Sequence, residues 1–356
     1  MKKLKVAIFP YGKEQENPYQ NIIISALKNN GIEVIAVPGR KIFPLLHVLK
    51  QKPDIIHLFW PFDMYLGRTG LLTFIKRMML LLTLPLLKKT PCIYSADNIV
   101  SHDTKNQESE IYWISQIIKS CKGILFMSNA AKEIFEGYYN TNTLKTLVVP
   151  HPNYMAYYPN ETDKFKSREY LNLDPGKKII LLLGRVEQYK GVEELISAFN
   201  EINDAESILL IAGKSTNPKY IDHLKNIIPT GLKSTLIFIN KFIPEQELQY
   251  FFNASDAVVI NYKDIPLNPG SLIMAMGFGS FIIAPVSKVL EELTDPSCSI
   301  LYEADNEEAL KNALQQFILG GVNENCRLQV MNKIKVNHDP MILGDKLHSF
   351  YQSLMT

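Results

Sequence analysis

The apolar positions fall in short continuous runs separated by longer stretches with helical spacing. In the first half the runs Val6–Phe9, Glu33–Val37, Ile55–Phe59, Cys92–Ser95, Ile124–Met127 and Leu147–Val149 read as strands. Helical patterns lie between them at Tyr19–Asn29, Ile42–Gln51, Gly70–Leu84, Ser109–Ser120 and Ala130–Tyr138. A strand apolar at consecutive positions is buried on both faces. Such strands alternating with helices predict a doubly wound parallel sheet. The second half repeats the pattern, with strands expected at Ile179–Leu183, Ile208–Ala212, Leu236–Phe238, Ala257–Ile260, Phe281–Ala284 and Ser299–Tyr302. From Pro150 to Pro175 the chain is rich in Pro, Asn, Tyr and charge, which marks a crossover between domains. The expected organisation is an α/β chain of two Rossmann-like domains facing a cleft, residues 1–160 and 161–330. A last helix within 331–356 is expected to return to the first domain. Ligands of such sheets bind at the C-terminal ends of the strands, so chemistry is sought there.

Length and composition narrow the classes. The 356 residues suit two cores, and 46% hydrophobic with 21% charged residues is the mix of a folded protein. Lys plus Arg number 38 against 36 Asp plus Glu, a net charge of +2, which argues against a nucleic-acid partner. Cys92, Cys121, Cys298 and Cys326 form no C-x-x-C pair, so neither a zinc ribbon nor a disulfide framework is expected, and all four are read as reduced thiols. The apolar run after Met-Lys-Lys-Leu-Lys is too short for a signal-peptide core, and a cytoplasmic protein is expected.

Two segments of the second half suggest anion chemistry. In Leu181-Leu-Leu-Gly-Arg-Val-Glu-Gln-Tyr-Lys-Gly191, a strand ends at Gly184 and a helix begins after Gly191. Arg185 and Lys190 thus flank a strand-to-helix loop, where fixed cations can clamp a diphosphate leaving group; the alternative is a pair of solvated loop cations. In Pro266-Leu-Asn-Pro-Gly-Ser-Leu-Ile-Met-Ala-Met-Gly-Phe-Gly279, a loop opens a helix of small residues. The first amides of that helix, at Gly270, Ser271 and Leu272, would attract a phosphate; the alternative is a helix packed closely on the sheet.

These stretches, with Asp256-Ala-Val-Val-Ile-Asn-Tyr262 and Ile283-Ala-Pro285, resemble the donor domain of GT-B glycosyltransferases, close to family 4. The resemblance implies that Arg185 and Lys190 contact the donor diphosphate. It also carries a departure. The places of two glutamates of the family, for the sugar hydroxyls and the ribose diol, fall here near Pro266 and Met274, neither of which can accept a hydrogen bond through its side chain.

In the first half, His57 lies within an apolar strand and is read as a core residue, with Trp60 at the strand's exit. After the next strand, a loop offers Asp97, Asn98, His102 and Asp103 within a few residues. Asp97 or His102 can serve as general base for a sugar hydroxyl, although a polar loop with a helix cap at Asp103 would have the same composition. The segments His57-Leu-Phe-Trp-Pro61 and Asp97-Asn-Ile-Val-Ser-His-Asp103 resemble an exopolysaccharide subgroup of the same superfamily, whose first loop histidine is here Asp97. The acceptor or cleft residues on this reading are Asn98, Asp103 and Trp60.

Met64 to Thr90 carries Arg68, Lys76, Arg77, Lys88 and Lys89 with no Asp or Glu, among many Leu, Met, Ile and Phe. Lys76 and Arg77 interrupt the apolar stretch and Pro85 ends it, so no spanning helix is expected. Either it is a buried core helix, or residues 68–89 contact an anionic membrane surface peripherally, on the inner face of the plasma membrane. Together these readings predict transfer of a hexose from a UDP- or GDP-sugar to a polyprenyl-linked or oligosaccharide acceptor in surface polysaccharide synthesis. The nucleotide sugar is a co-substrate, and neither a metal nor another cofactor is expected. The rival readings are a catalytically silent nucleotide-sugar binding subunit and a sugar-nucleotide epimerase of the same fold.

Overall fold

The computed structural model describes residues 3–11, 18–39, 44–101, 104, 106–263, 266–320 and 324–355. The chain forms two compact units. One comprises Met1–Pro152, Pro266–Asn268 and His338–Thr356, the other Asn153–Ile265 and Pro269–Asn337. The division thus falls before the expected boundary at 160, and residues 331–337 stay with the second unit.

The first unit contains strands β1 (Lys5–Tyr11), β2 (Glu33–Pro38), β3 (Ile55–Phe59), β4 (Cys92–Ser95), β5 (Gly123–Phe126) and β6 (Lys145–Val148) in one parallel sheet of order β2-β1-β3-β4-β5-β6. Because strand side chains alternate, β1 sends Ala7 and Phe9 to one face and Val6 and Ile8 to the other, and each face has its own core. The first face is covered by helices that include Gln107–Ile118 and Asn129–Glu136. The second is covered by Tyr19, Ile23 and Leu27 of helix Pro18–Asn29 and by Leu343, Leu347, Tyr351 and Leu354 of helix Pro340–Met355. Each such buried side chain contributes roughly 1.5–3 kcal/mol.

The second unit holds β7 (Lys178–Leu183), β8 (Ser207–Ala212), β9 (Leu236–Ile239), β10 (Ala257–Val259), β11 (Phe281–Pro285) and β12 (Ser299–Tyr302), again all parallel, in the order β12-β11-β10-β7-β8-β9. This is the Rossmann order, and its direction reverses between β10 and β7. Central strands such as β4, β8 and β11 are buried throughout, whereas the edge strands β2 and β6 are partly exposed. All twelve predicted strands are present, with their ends shifted slightly. The helix expected at Ile42–Gln51 is described from Pro44 to Lys50.

One expectation from the cysteines is overturned. Cys298, just before β12, is joined in a disulfide to Cys326 of helix Glu324–Asn337, while Cys92 and Cys121 are free and buried. Spatial approach, here 5.5 Å between Cα atoms across 28 positions of sequence, decides such a bond, and no local spacing motif announces it.

Candidate active site

In the second unit the loop after β7 lies at the point where the strand order reverses. Gly184 has φ of +120°, and a Cβ there would stand 2.7 Å from the Lys190 ammonium, so glycine makes room for that cation. One 3₁₀ turn, Gln188–Lys190, then leads into helix Val192–Ile202. Lys190 is only 5% exposed, and its side chain forms no ion pair or hydrogen bond with a described residue. Its ammonium lies 5.1 Å from the centre of the Tyr262 ring. Such a contact offsets part of its desolvation but does not neutralise its charge. Arg185 is exposed and its guanidinium is likewise unpaired among the described residues.

Tyr262 ties the two predicted motifs together. Its ring faces Lys190, and its hydroxyl lies 2.7 Å from the Ser271 hydroxyl in the first turn of helix Gly270–Gly277. No side chain caps that helix, so the amides of Gly270 and Ser271 remain open. The expectation for Leu272 is corrected: its amide donates to the Pro269 carbonyl at 2.9 Å and its side chain is fully buried. Pro269 turns its carbonyl into the helix as the first acceptor, which consumes that donor. Asn261, after β10, donates to the Gly191 carbonyl at 2.7 Å and accepts from the Tyr302 hydroxyl, fixing the far end of the loop.

In the first unit Asp97 follows β4 and is 2% exposed. Its Oδ1 accepts hydrogen bonds from Asn268 Nδ2 at 2.9 Å and the Tyr19 hydroxyl at 3.3 Å, while the buried Oδ2 has no partner. Burial pushes its pKa up to about 7, although both hydrogen bonds favour the carboxylate and pull it down. The Tyr19 ring stacks on His151 with centroids 4.7 Å apart and is tilted against Trp60 at 5.8 Å. Trp60 leaves β3 in the left-handed region, φ 44°, a conformation that costs of order 1–3 kcal/mol for a residue with a side chain. Asn98 is half-buried and makes no hydrogen bond to a described residue. The loop beyond it is anchored by Glu110, which accepts from the Ser101 amide at 3.0 Å and hydroxyl at 2.7 Å, and by Tyr139, whose hydroxyl donates to the Ile99 carbonyl. His102 and Asp103 lie outside the described residues. His57 is a core residue, fully buried between the Tyr351 hydroxyl at 2.7 Å and the Ser95 hydroxyl at 2.9 Å, and burial holds its pKa down near about 3.

The structure therefore groups Arg185, Lys190, Gly270 and Ser271 in one domain, and Trp60, Asp97 and Asn98 in the other. Tyr262, Tyr19, Asn268 and Glu110 were not singled out from the sequence. Tyr262 stood inside a segment that was, but nothing one-dimensional links residues 19 or 268 to 97.

The apolar helix Gly70–Thr83 and the turn Leu84–Lys89 behave unlike a core element. Leu71, Phe74 and Leu82 are 72%, 62% and 66% exposed, and Ile75, Met78, Leu81 and Leu86 are exposed with them. The spacing of these positions lays them along one face of the helix. The central cations instead turn inward. Lys76 donates to the carbonyls of Asp63 at 2.7 Å and Leu66 at 2.9 Å, and burial lowers its pKa. Arg77 donates to Ser109 at 3.0 Å and lies over Trp113. Arg68, Lys88 and Lys89 at the ends remain exposed.

Residues 163–333 match the family described as glycosyl transferases group 1. With its two parallel six-stranded sheets the chain has the GT-B fold, and it is a glycosyltransferase that resembles family 4. Among curated proteins it is similar to the GDP-mannose:glycolipid 4-beta-D-mannosyltransferase of Xanthomonas campestris pv. campestris, 24% identical over 307 residues that cover 84% of this chain and 79% of the relative. Among solved structures it is similar to a sucrose-phosphate synthase from Thermosynechococcus elongatus, with a TM-score of 0.74, 16% identity and 99% of each chain covered. It is equally similar to HepE of Anabaena in complex with UDP, with a TM-score of 0.74, 14% identity, and 99% and 100% of the two chains covered.

Proposed function

We propose that the enzyme moves a hexose from a UDP- or GDP-sugar to a lipid-linked or oligosaccharide acceptor in bacterial surface polysaccharide synthesis. The observation that carries this reading is Lys190, a buried lysine with no counter-ion among the described residues, tied through Tyr262 to the open amides at Gly270 and Ser271. A buried cation without a partner is costly, and a bound diphosphate relieves the cost. Arg185 adds a second, exposed cation. The bond from the sugar's anomeric carbon to the diphosphate oxygen breaks with its electron pair on the diphosphate, and these groups neutralise that charge in the role a divalent metal plays elsewhere. Asp97 takes the proton of the acceptor hydroxyl on Oδ2 as the new bond to the anomeric carbon forms. The Trp60 ring offers an apolar platform for an acceptor sugar.

The mannosyltransferase likeness supports GDP-mannose as the donor and a glycolipid as the acceptor. The exposed face of helix Gly70–Thr83 supports a peripheral membrane site for such an acceptor, with Arg68, Lys88 and Lys89 meeting anionic headgroups. The length and hydropathy of Gly70–Lys89 would also allow a span, but Lys76 is bound to carbonyls of its own domain, which favours a helix lying in the surface. The lack of the family's two glutamates near Pro266 and Met274 favours a second reading, a silent nucleotide-sugar binding subunit. Calorimetric titration with UDP, GDP and their sugar conjugates, followed by an assay with a polyprenyl-linked acceptor, tests both. Binding of one nucleotide that is lost in Arg185→Ala, with turnover, supports the transferase reading. Binding without turnover supports the silent subunit. No nucleotide binding sinks both.

A further inference from the structure

We propose that the second domain carries another ligand site, at the opposite end of its strands from the donor loop, for a small organic anion with an aromatic or apolar body. A cavity of about 400 Å³ opens there, within the roughly 300–1,000 Å³ range of small-molecule sites. Lys178 lines it at the start of β7, while Gly184 follows the end of that strand of 6 residues. At roughly 3.3 Å per residue, about 20 Å separates the cavity from the donor loop.

The walls are apolar and aromatic. Phe252 stacks on Phe278 with centroids 4.6 Å apart, and Phe281 meets Phe317 at 5.3 Å. Lys164, Lys178, Arg327 and Ser280 supply donors, with Asp256 as the opposing carboxylate. Helices Leu248–Ala254, Gly270–Gly277 and Glu307–Gly320 all finish near this end, because helices of a parallel domain run against the strands. Their carbonyl ends attract cations, and two of the three cations are used in structural contacts. Lys178 donates to the Ile318 carbonyl, and Lys164 pairs with Asp256, which also holds Arg168 at 2.8 Å.

Arg327 and Ser280 are different. The Ser280 side chain is 8% exposed, and its Oγ has no hydrogen-bond partner. Half-buried Arg327 gives one hydrogen bond, to Asn253 Oδ1, and enters no ion pair with a described residue. Burial lowers its pKa, as expected of a desolvated cation lacking a counter-ion. Its place is built into the backbone. Gly279 has φ of +74°, and a Cβ there would lie 2.5 Å from Arg327 Cγ and 2.8 Å from the Arg327 carbonyl oxygen. The Cys298–Cys326 bridge fixes the helix that carries Arg327 beside the start of β12. Four of the five guanidinium N–H groups thus remain available, with the Ser280 hydroxyl, for a carboxylate or phosphate, while the phenyl rings cover the rest of the ligand.

The full chain is titrated calorimetrically with phenyl phosphate and with phenylacetate, which separate the two head groups. Saturable binding of at least one probe is expected. It should persist in excess UDP or GDP and in Arg185→Ala, and weaken by roughly ten- to a hundredfold in Arg327→Gln. Ser280→Leu, which fills the cavity, should abolish it while the melting temperature stays close to that of the unaltered chain, and this variant decides the matter if Arg327→Gln does not fold. Failure of both probes to bind would overturn the proposal. So would binding that nucleotide displaces, or that Ser280→Leu leaves intact. Nucleotide binding is read in the same cell, so failure of this site and failure of the donor reading are separate results.

Discussion

Asn268 donates to Oδ1 of Asp97 at 2.9 Å and leaves the other carboxylate oxygen buried with no partner. The carboxyl is thus oriented by one oxygen and left without a partner on the other. If Asp97 is the general base, kcat/KM should rise with pH through about 7, the value to which burial raises its pKa. Asp97→Asn should lower turnover by roughly 10²–10⁴-fold and remove that limb, with nucleotide affinity unchanged by calorimetry.

Asn268→Ala removes a hydrogen bond that favours the ionised form. The limb of the pH–rate profile should therefore move to higher pH in this variant, while the KM for the donor changes little. A limb that stays in place would show that Asn268 does not position the base.

The same carboxyl leaves a mark on stability. Its pKa rises from 3.8 to about 7 on folding. The folded state therefore binds the extra proton between those values, and its stabilising contribution, complete below 3.8, is lost as pH rises through about 7. Thermal melts of Asp97→Asn across that window should show a flatter pH dependence than those of the unaltered chain.

Lys190→Met should weaken nucleotide binding by roughly ten- to a hundredfold, the worth of a charge-assisted contact. Its melting temperature should not fall, because replacing a buried unpaired cation with an apolar side chain of similar length removes a desolvation cost. A large loss of stability would mean instead that Lys190 serves the fold.

Replacement of Phe74 and Leu82 by Ser should release the protein from vesicles containing anionic lipid in a sedimentation assay, since each exposed apolar side chain brings roughly 1.5–3 kcal/mol on burial. Raising the salt should weaken binding of the unaltered chain, because Arg68, Lys88 and Lys89 act through screened charge. Equal binding by the Phe74→Ser/Leu82→Ser protein would remove the face as a membrane contact.

Strands were legible because burial on both faces leaves a short unbroken apolar run, as in Ile179–Leu183, bounded by polar and turn residues. The loop that gathers Gly184, Arg185 and Lys190 was legible because these residues lie within seven positions between a strand and a helix. What escaped were relations across the fold. Leu272 looked like a free amide until Pro269 turned its carbonyl inward, and Cys298 gave no sign of Cys326. Lys76 and Arg77 read as interruptions of an apolar face, yet long side chains let them reach carbonyls and Ser109 on the inner side. Asp97 could be named, but its partners Tyr19 and Asn268 stand far away along the chain.

Helix Pro340–Met355 completes the core of the first domain with Leu347, Tyr351 and Leu354. Those residues leave the ribosome only after the entire second domain has been synthesised. Domains usually fold in order of synthesis, but here one face of the first sheet stays open to solvent until residues 340–355 have been made. Val6, Ile8 and Leu125 are then bare apolar surface on a nascent chain whose later half is already able to fold. The stretch of synthesis from residue 152 to residue 340 is accordingly the period in which this protein depends most on holding chaperones, and a chain cut just after residue 337 would keep an intact second domain beside an aggregating first one.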